Sequence, residues 1–268
     1  MKEYTLAQIK ESFIQKKEWE KQFPINYFFV RPLSFYLTWL VMKVTHDPAR
    51  VAVFGFCIGV AGCSLLATSH IFSIWPGLLL VVLYSISDAV DGNVARTTQN
   101  VTLFGKYFDG LLGEIIDGSY FFFLGIGLYY SGVATADPVF STLISTHSQA
   151  IPLLLGSVIL ISKLWATIFR NLYDIYKAQK DGLAPFDASL STAIIGKSRY
   201  HDRWYFRVFI NLESLNTQLL FLILFAAFRI EIWFLILFAC FFTSRALIYL
   251  VFYFARTKSK LMNTFKRF

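Results

Sequence analysis

Few residues of this 268-residue chain are charged, and few are cysteine or histidine. Charged residues make up 16% of it, and there are three cysteines and four histidines. The cysteines lie in apolar runs without paired or metal-ligand spacing, so we interpret Cys57, Cys63 and Cys240 as small buried hydrophobic residues. In contrast, hydrophobic residues make up 56% of the chain, and the mean hydropathy is +0.54. This composition excludes an ordinary soluble domain and predicts an integral membrane protein.

The first residues, MKEYTLAQIKESFIQKKEWEK, lack the central apolar stretch of a signal peptide. We therefore expect the N-terminus to stay in the cytoplasm. The net charge of +8 would also fit a protein that binds nucleic acid. In a membrane protein, however, basic residues more commonly lie in cytoplasmic loops and face anionic lipid headgroups. Membrane lipids are therefore the expected partner, and nucleic acid is not.

Apolar runs of transmembrane length occur six times. They cover residues 51–69, 72–91, 103–131, 150–171, 208–228 and 232–254. Before them, residues 1–24 carry apolar side chains at helical intervals, and residues 25–46 combine aromatic with basic residues, as interfacial helices do. We therefore expect an all-α polytopic membrane protein with six transmembrane helices after an N-terminal amphipathic interfacial helix. Its expected parts are a cytoplasmic and interfacial segment (1–46), a six-span domain (47–256) and a basic cytoplasmic tail (257–268).

The distribution of lysine and arginine predicts the orientation. These residues collect at both termini and in the loops after the second and fourth spans, whereas residues 69–71 and 132–149 contain none. The positive-inside rule then places both termini in the cytoplasm. Other polar groups interrupt the apolar runs, where such residues usually face a cavity or pair with one another. They are Lys163, Arg170, Glu213, Asn216 and Arg245.

Four aspartates lie near the predicted cytoplasmic ends of the second and third spans. At about 100° per residue, Asp88 and Asp91 share one helix face, and so do Asp109 and Asp117. An uncompensated charge in the bilayer costs about 3 kcal/mol or more. Because carboxylate oxygens suit Mg²⁺ or Mn²⁺, a divalent cation is the economical compensation.

The spacing of these residues resembles the signature of the CDP-alcohol phosphotransferase family, DxxDGxxARx8GxxxDxxxD. The matching residues are Asp88, Asp91, Gly92, Ala95, Arg96, Gly105 and Asp109. The resemblance implies a membrane enzyme in which an alcohol acceptor displaces CMP from a CDP-linked donor, with Mg²⁺ or Mn²⁺ as cofactor. It also implies an interfacial helix before the first span and makes a homodimer plausible. The last aspartate of the signature, understood to be the general base, is replaced by Gly113.

The resemblance assigns roles to particular residues. Metal ligands would be Asp88, Asp91 and Asp109. Asp117 lies outside the matching positions and could equally be a fourth metal ligand or the base. CDP or CMP would lie against Asp88, Gly92, Ala95, Arg96 and Gly105. Without the signature, the three small residues also fit tight helix packing, and the arginine also fits a topology signal.

Three interpretations of the deprotonation step stay open. Asp117 lies one helical turn beyond Gly113 and shares the face of Asp109, whereas Glu114 points about 140° away from Asp109. The third is an acceptor that is already ionised and needs no base. Basic residues before the fifth span, Lys197, Arg199 and Arg203, are candidates for binding a phosphate on the acceptor or on a lipid donor. They equally fit an interfacial belt.

The identities of the two substrates also stay open. The donor is either CDP-diacylglycerol or a smaller CDP-alcohol, and the acceptor is a lipid or an envelope glycan. A family member that lost catalysis and serves as a nucleotide- or lipid-binding scaffold would explain Gly113, but not three retained aspartates. A transporter with an acidic ion site is a further class, but its site is expected near the membrane midplane rather than at span ends.

Overall fold

The computed structural model describes residues 4–68, 74–132, 148–180 and 204–265. In these residues it contains ten α-helices and no β-strand, as expected for an all-α membrane protein. The helices are α1 (Leu6–Glu11), α2 (Ile14–Glu20), α3 (Arg31–Val41), α4 (Pro48–Leu66), α5 (Ile74–Thr97), α6 (Leu103–Ser131), α7 (Ile151–Lys180), α8 (Trp204–Glu213), α9 (Leu215–Ala227) and α10 (Glu231–Phe265).

Two short helices stand where one N-terminal amphipathic helix was expected. Thr5 starts α1 with a capping box, in which its hydroxyl accepts from the amide of Gln8 at 3.3 Å and its amide donates to the Gln8 side chain at 2.9 Å. Ile9 of α1 is fully buried in a cluster with Met42 and with residues of α4 and α5. The N-terminal segment is therefore packed on the helical bundle. A π-helical turn, Asn26–Val30, leads directly into α3.

Five helices are long and apolar enough to cross a membrane, namely α4, α5, α6, α7 and α10, when the described residues are considered. The expected fifth span is not one straight helix, because α8 and α9 meet at Ser214 with a bend of 73°. Counting this bent pair as one span gives six. The side-chain amide of buried Gln218 donates to the carbonyls of Leu212 at 2.9 Å and Glu213 at 2.8 Å, which compensates backbone groups freed by the break.

The second span also differs from its predicted bounds. Helix α5 continues to Thr97, so Asp88 and Asp91 lie within the helix rather than at its end. Asn93 anchors this extension, because its buried side-chain amide donates to the hydroxyls of Ser34 and Thr38 in α3, both at 3.1 Å.

Aromatic packing between α6 and α10 forms the centre of the bundle. Tyr120 and Phe121 of α6 and Phe234 and Phe242 of α10 are completely buried. Helices α4 and α5 approach each other closely at Gly62, where a Cβ atom would lie 2.9 Å from the backbone nitrogen of Val81. Gly62 therefore has a packing role at this crossing.

Candidate functional site

Three carboxylates converge where α5 and α6 face each other. Asp88 and Asp91 project from α5 and Asp109 from α6, and one oxygen of each lies within 4.8 Å of the others. The connection between the helices turns sharply at Gln99, whose φ of 56° is left-handed. Thr102 then caps α6 by accepting a hydrogen bond from the amide of Gly105 at 3.0 Å. The turn at Gln99 and the cap at Thr102 thus bring Asp109 close to Asp88 and Asp91.

This carboxylate group suits a divalent cation. No lysine or arginine among the described residues forms an ion pair with any of the three aspartates. Crowded like charges without a cation oppose one another. Hard carboxylate oxygens at this spacing are the ligands that Mg²⁺ and Mn²⁺ prefer. The donor set therefore fits a metal centre held by Asp88, Asp91 and Asp109.

One cavity, here named the Arg96 cavity, opens beside Asp91 and Asp109 with a volume of about 430 Å³. Its wall on α5 consists of Gly92, Ala95 and Arg96, and Gly105 belongs to its wall on α6. The guanidinium lies across Gly92, because a Cβ atom there would be 3.3 Å from both terminal nitrogens of Arg96. All predicted nucleotide-binding residues except Asp88 therefore line one cavity.

Arg96 is held in place by a polar network that reaches the N-terminal segment. It donates to the side-chain oxygen of Asn93 at 2.8 Å, and Arg31 of α3 donates to the same oxygen at 3.5 Å. Arg31 is ion-paired with Glu20 of α2, and both are buried. Lys16 of α2 lies 3.5 Å from Glu20 and lines the Arg96 cavity. The position of Arg96 thus depends on residues outside the signature.

A second cavity, here named the Gly113 cavity, lies beside Asp88 and has a volume of about 280 Å³. Gly113 forms part of its wall, and a Cβ atom at this position would meet only the hydroxyl of Tyr84, at 3.8 Å. The remaining lining residues are Asn26, Tyr84, Ser85, Gly110, Glu114, Asp117, Ser214, Leu215 and Asn216. Because Asp88 lines this cavity while Asp91 and Asp109 line the other, the carboxylate group lies between the two.

Asp117 lines the Gly113 cavity in an ion pair and is not one of the three converging carboxylates. The ammonium of Lys163 lies 2.6 Å from Oδ2 of Asp117 and donates to its backbone carbonyl at 2.8 Å. Lys163 is 4% exposed, and the rings of Phe242 and Phe121 lie 4.6 Å and 5.2 Å from its ammonium. Oδ1 of Asp117 is buried and has no hydrogen-bond partner in the described part of the chain. One carboxylate oxygen is thus paired with a cation, while the other accepts no hydrogen bond from these residues.

Glu114 lines the same cavity but is held differently. It accepts hydrogen bonds from Arg170 at 3.1 Å and Thr167 at 3.2 Å, and it is ion-paired with Arg170. Arg245 forms an ion pair with Glu213. The expectation that polar groups within the apolar runs pair with one another is therefore confirmed for Lys163, Arg170, Glu213 and Arg245.

Some site residues lie beyond the signature or beyond the described chain. Lys197, Arg199 and Arg203, the proposed phosphate-binding residues, lie outside the described residues. Lys163 and Asn216 carried a weak signal as polar residues in apolar runs. Lys16 carried none, because it meets the cavity only through the packing of α2.

Comparisons with known proteins agree with the signature. A family model described as CDP-alcohol phosphatidyltransferase matches residues 46–214. The chain is 30% identical over 105 residues to a phosphatidylinositol phosphate synthase of Streptomyces avermitilis, covering 39% of this chain and 41% of that protein. It is 31% identical over 103 residues to an archaetidylinositol phosphate synthase of Pyrococcus horikoshii, covering 37% and 50%. The matched stretches therefore span half or less of these relatives. No solved structure matches.

Proposed function

Because the chain belongs to the CDP-alcohol phosphatidyltransferase family, we propose that it transfers a substituted phosphate group from a CDP-linked alcohol to an alcohol acceptor. The second product is CMP. The observation that carries this proposal is the position of the carboxylate group between two cavities. A displacement at phosphorus needs the attacking and leaving oxygens on opposite sides of the transferred group. Two cavities that meet at one metal-binding group provide such an arrangement.

The Arg96 cavity is the proposed donor site. Gly92, Ala95 and Gly105 leave room for the cytidine and its ribose against the helix backbones, and Arg96 offers planar N–H donors to phosphate oxygens. Asp88, Asp91 and Asp109 would hold divalent cations. When bound, Mg²⁺ or Mn²⁺ would neutralise the diphosphate and clamp the attacking and leaving oxygens.

The Gly113 cavity is the proposed acceptor site, and Asp117 is the proposed base. The acceptor oxygen forms a bond to the phosphorus of the transferred group, the bond from that phosphorus to the CMP oxygen breaks, and the hydroxyl proton moves to Asp117. Asp117 lines this cavity and its Oδ1 has no donor among the described residues, whereas Thr167 and Arg170 donate to the two carboxylate oxygens of Glu114. These contacts favour Asp117 over Glu114 as the proton acceptor.

The relatives and the charge pattern support a role in phospholipid synthesis. Two relatives are named as synthases of phosphatidylinositol phosphate and archaetidylinositol phosphate. A lipid donor such as CDP-diacylglycerol is therefore the first to test, before smaller CDP-alcohols. The positive-inside pattern supports a site and termini on the cytoplasmic side. Homodimer formation belongs to the same proposal and requires a direct mass measurement in lipid.

The test is release of CMP by the purified protein in lipid vesicles, with CDP-diacylglycerol or a small CDP-alcohol and a panel of lipid and sugar alcohols. Release is expected only with Mg²⁺ or Mn²⁺. Loss of a residue that only orients a metal ligand commonly lowers activity about 10- to 100-fold, so replacing a direct ligand by Asp91→Asn is expected to lower CMP release about 100-fold or more. Release that persists in this variant would refute the assigned centre.

Gly113 favours one alternative, a family member that binds a nucleotide or lipid without catalysis. Such a non-catalytic family member would bind CMP in the presence of Mn²⁺ but would release no CMP from any donor. Restoring the missing carboxylate by Gly113→Asp would then create release where the parent chain has none. The same substitution would leave an already active enzyme active.

A further inference from the structure

Lys16 of α2 lies in the wall of the Arg96 cavity, although it precedes the residues that the family model matches. Its side chain is 43% exposed, and its ammonium lies 3.5 Å from Oε1 of Glu20. It is also within electrostatic reach of Asp88 and Asp109. Helix α2 therefore adds a cation to a cavity whose other walls come from α4, α5, α6 and their connections.

Lys16, Arg31 and Arg96 belong to one polar network that contains a single carboxylate, that of Glu20. Glu20 pairs with both Lys16 and Arg31, while Arg31 and Arg96 share the neutral oxygen of Asn93. No other carboxylate in the described part of the chain forms an ion pair with these three cations. In addition, Nε of Arg31 and Nε of Arg96 are buried and have no hydrogen-bond partner among the described residues. This network of three cations and one carboxylate has two positive charges in excess, while the cavity wall also carries Lys106 and the carboxylates of Asp47, Asp91 and Asp109.

The properties of Lys16 agree with this excess. Partial desolvation and the positive charge of Arg31 lower the pKa of the Lys16 ammonium, and the neighbouring Glu20 only partly opposes them. An anion bound beside the ammonium would oppose both effects. Asp91 and Asp109, which line the same cavity, would hold divalent cations together with Asp88 when the site is loaded.

We propose that Lys16 binds the diphosphate of the CDP-linked donor, an inference that rests on the proposed function. A diphosphate beside the carboxylate group meets Arg96 from α5 and Lys16 from α2 in the same cavity. The guanidinium of Arg96 is planar and held in place by Asn93, so it offers donors in a fixed direction. The ammonium of Lys16 is a compact charge on a flexible side chain and can adjust to the position of the phosphate. The N-terminal segment thereby becomes part of the donor site and serves as more than a membrane anchor.

A matched pair of variants tests this role by calorimetric binding of CDP in the presence of Mn²⁺. Lys16→Met is expected to weaken CDP binding about tenfold or more, since a hydrogen bond to a charged group is lost. Lys17→Met is the control, because Lys17 lines a different cavity beside Phe13 and Tyr27, and it should leave the affinity unchanged. Lys16→Arg should retain most of the affinity. Glu20 keeps Arg31 as a partner in every variant.

Binding of Mn²⁺ alone distinguishes phosphate binding from two other roles. If Lys16 only balances the charge of Asp88 and Asp109, Lys16→Met will tighten Mn²⁺ binding and leave CDP affinity unchanged, which overturns the proposal. Equal weakening of Mn²⁺ and CDP binding means a damaged site and also overturns it. A wild-type protein that binds Mn²⁺ but no CDP refutes the proposed function itself. Weaker CDP binding with unweakened Mn²⁺ binding supports the assignment.

Discussion

The two cavities beside the carboxylate group differ in how closely they follow the family signature. Every signature position in the wall of the Arg96 cavity carries the residue that the signature requires, and a hydrogen bond to Asn93 supports Arg96. The Gly113 cavity lacks the signature's last carboxylate and has the Asp117–Lys163 ion pair one helical turn further along. The proposed donor side therefore follows the signature, and the departure is confined to the proposed acceptor side. This contrast fits an enzyme that shares the nucleotide leaving group of its family but uses a different acceptor, or removes the acceptor proton by a different group.

The largest expected effect comes from removing the carboxylate of Asp117, which a new carboxylate at position 113 should then replace. Asp117→Asn is expected to lower CMP release about 100-fold or more, the contribution typical of a positioned base. Adding Gly113→Asp should restore much of the release, because the space beside Gly113 accepts a side chain. Kinetics of the single and double variants would measure this.

Gly110→Asp provides the control for the rescue. Gly110 lines the same cavity, and a Cβ atom there meets nothing within 4 Å, so the substitution adds the same charge without a steric cost. It should not rescue Asp117→Asn. Full activity of Asp117→Asn alone would contradict the base assignment and favour Glu114 or an ionised acceptor.

An intermediate effect is expected on stability. Asp117→Leu leaves the ammonium of Lys163 without its carboxylate at a site where that side chain is 5% exposed, which is expected to cost about 3 kcal/mol of unfolding free energy. Adding Lys163→Met replaces the pair by apolar groups and should recover most of the loss. Thermal unfolding of both variants in lipid would show this. Equal stability of the single and double variants would mean that the pair is not coupled.

The smallest effect compares one glycine from each cavity. Gly92→Ala places a Cβ atom 3.3 Å from the Arg96 guanidinium, which must shift by a few tenths of an ångström, so CDP affinity is expected to fall about threefold. Gly113→Ala adds its methyl group to open space away from the donor cavity and should leave CDP affinity unchanged. CDP titrations in Mn²⁺ would compare them. An equal loss in both variants would contradict the division into two cavities.

Features determined by short stretches of sequence were predictable. Helical periodicity places Asp88 and Asp91 on one helix face, and the resemblance to the family signature predicted that Asp109 joins them, as the structure shows. The apolar runs likewise predicted the helices, because backbone groups in a bilayer must be satisfied internally.

Features that depend on contacts between distant segments were not predictable. At the break at Ser214, Gln218 donates to the carbonyl of Leu212 and accepts a hydrogen bond from the phenol of Tyr120 at 2.8 Å. In the N-terminal segment, Ile9 is buried against Met42 and against residues of α4 and α5, which follow much later in the chain.

The sequence by itself determined a membrane protein with an acidic signature, since hydropathy and local spacing are properties of neighbouring residues. Only the tertiary structure decided that the signature aspartates lie between two cavities, that Asp117 pairs with Lys163, and that Lys16 lines the Arg96 cavity. The physical reason is that charges inside a membrane protein take their partners across helices. Packing selects those partners, and the separation of two residues along the sequence does not show whether they will be in contact.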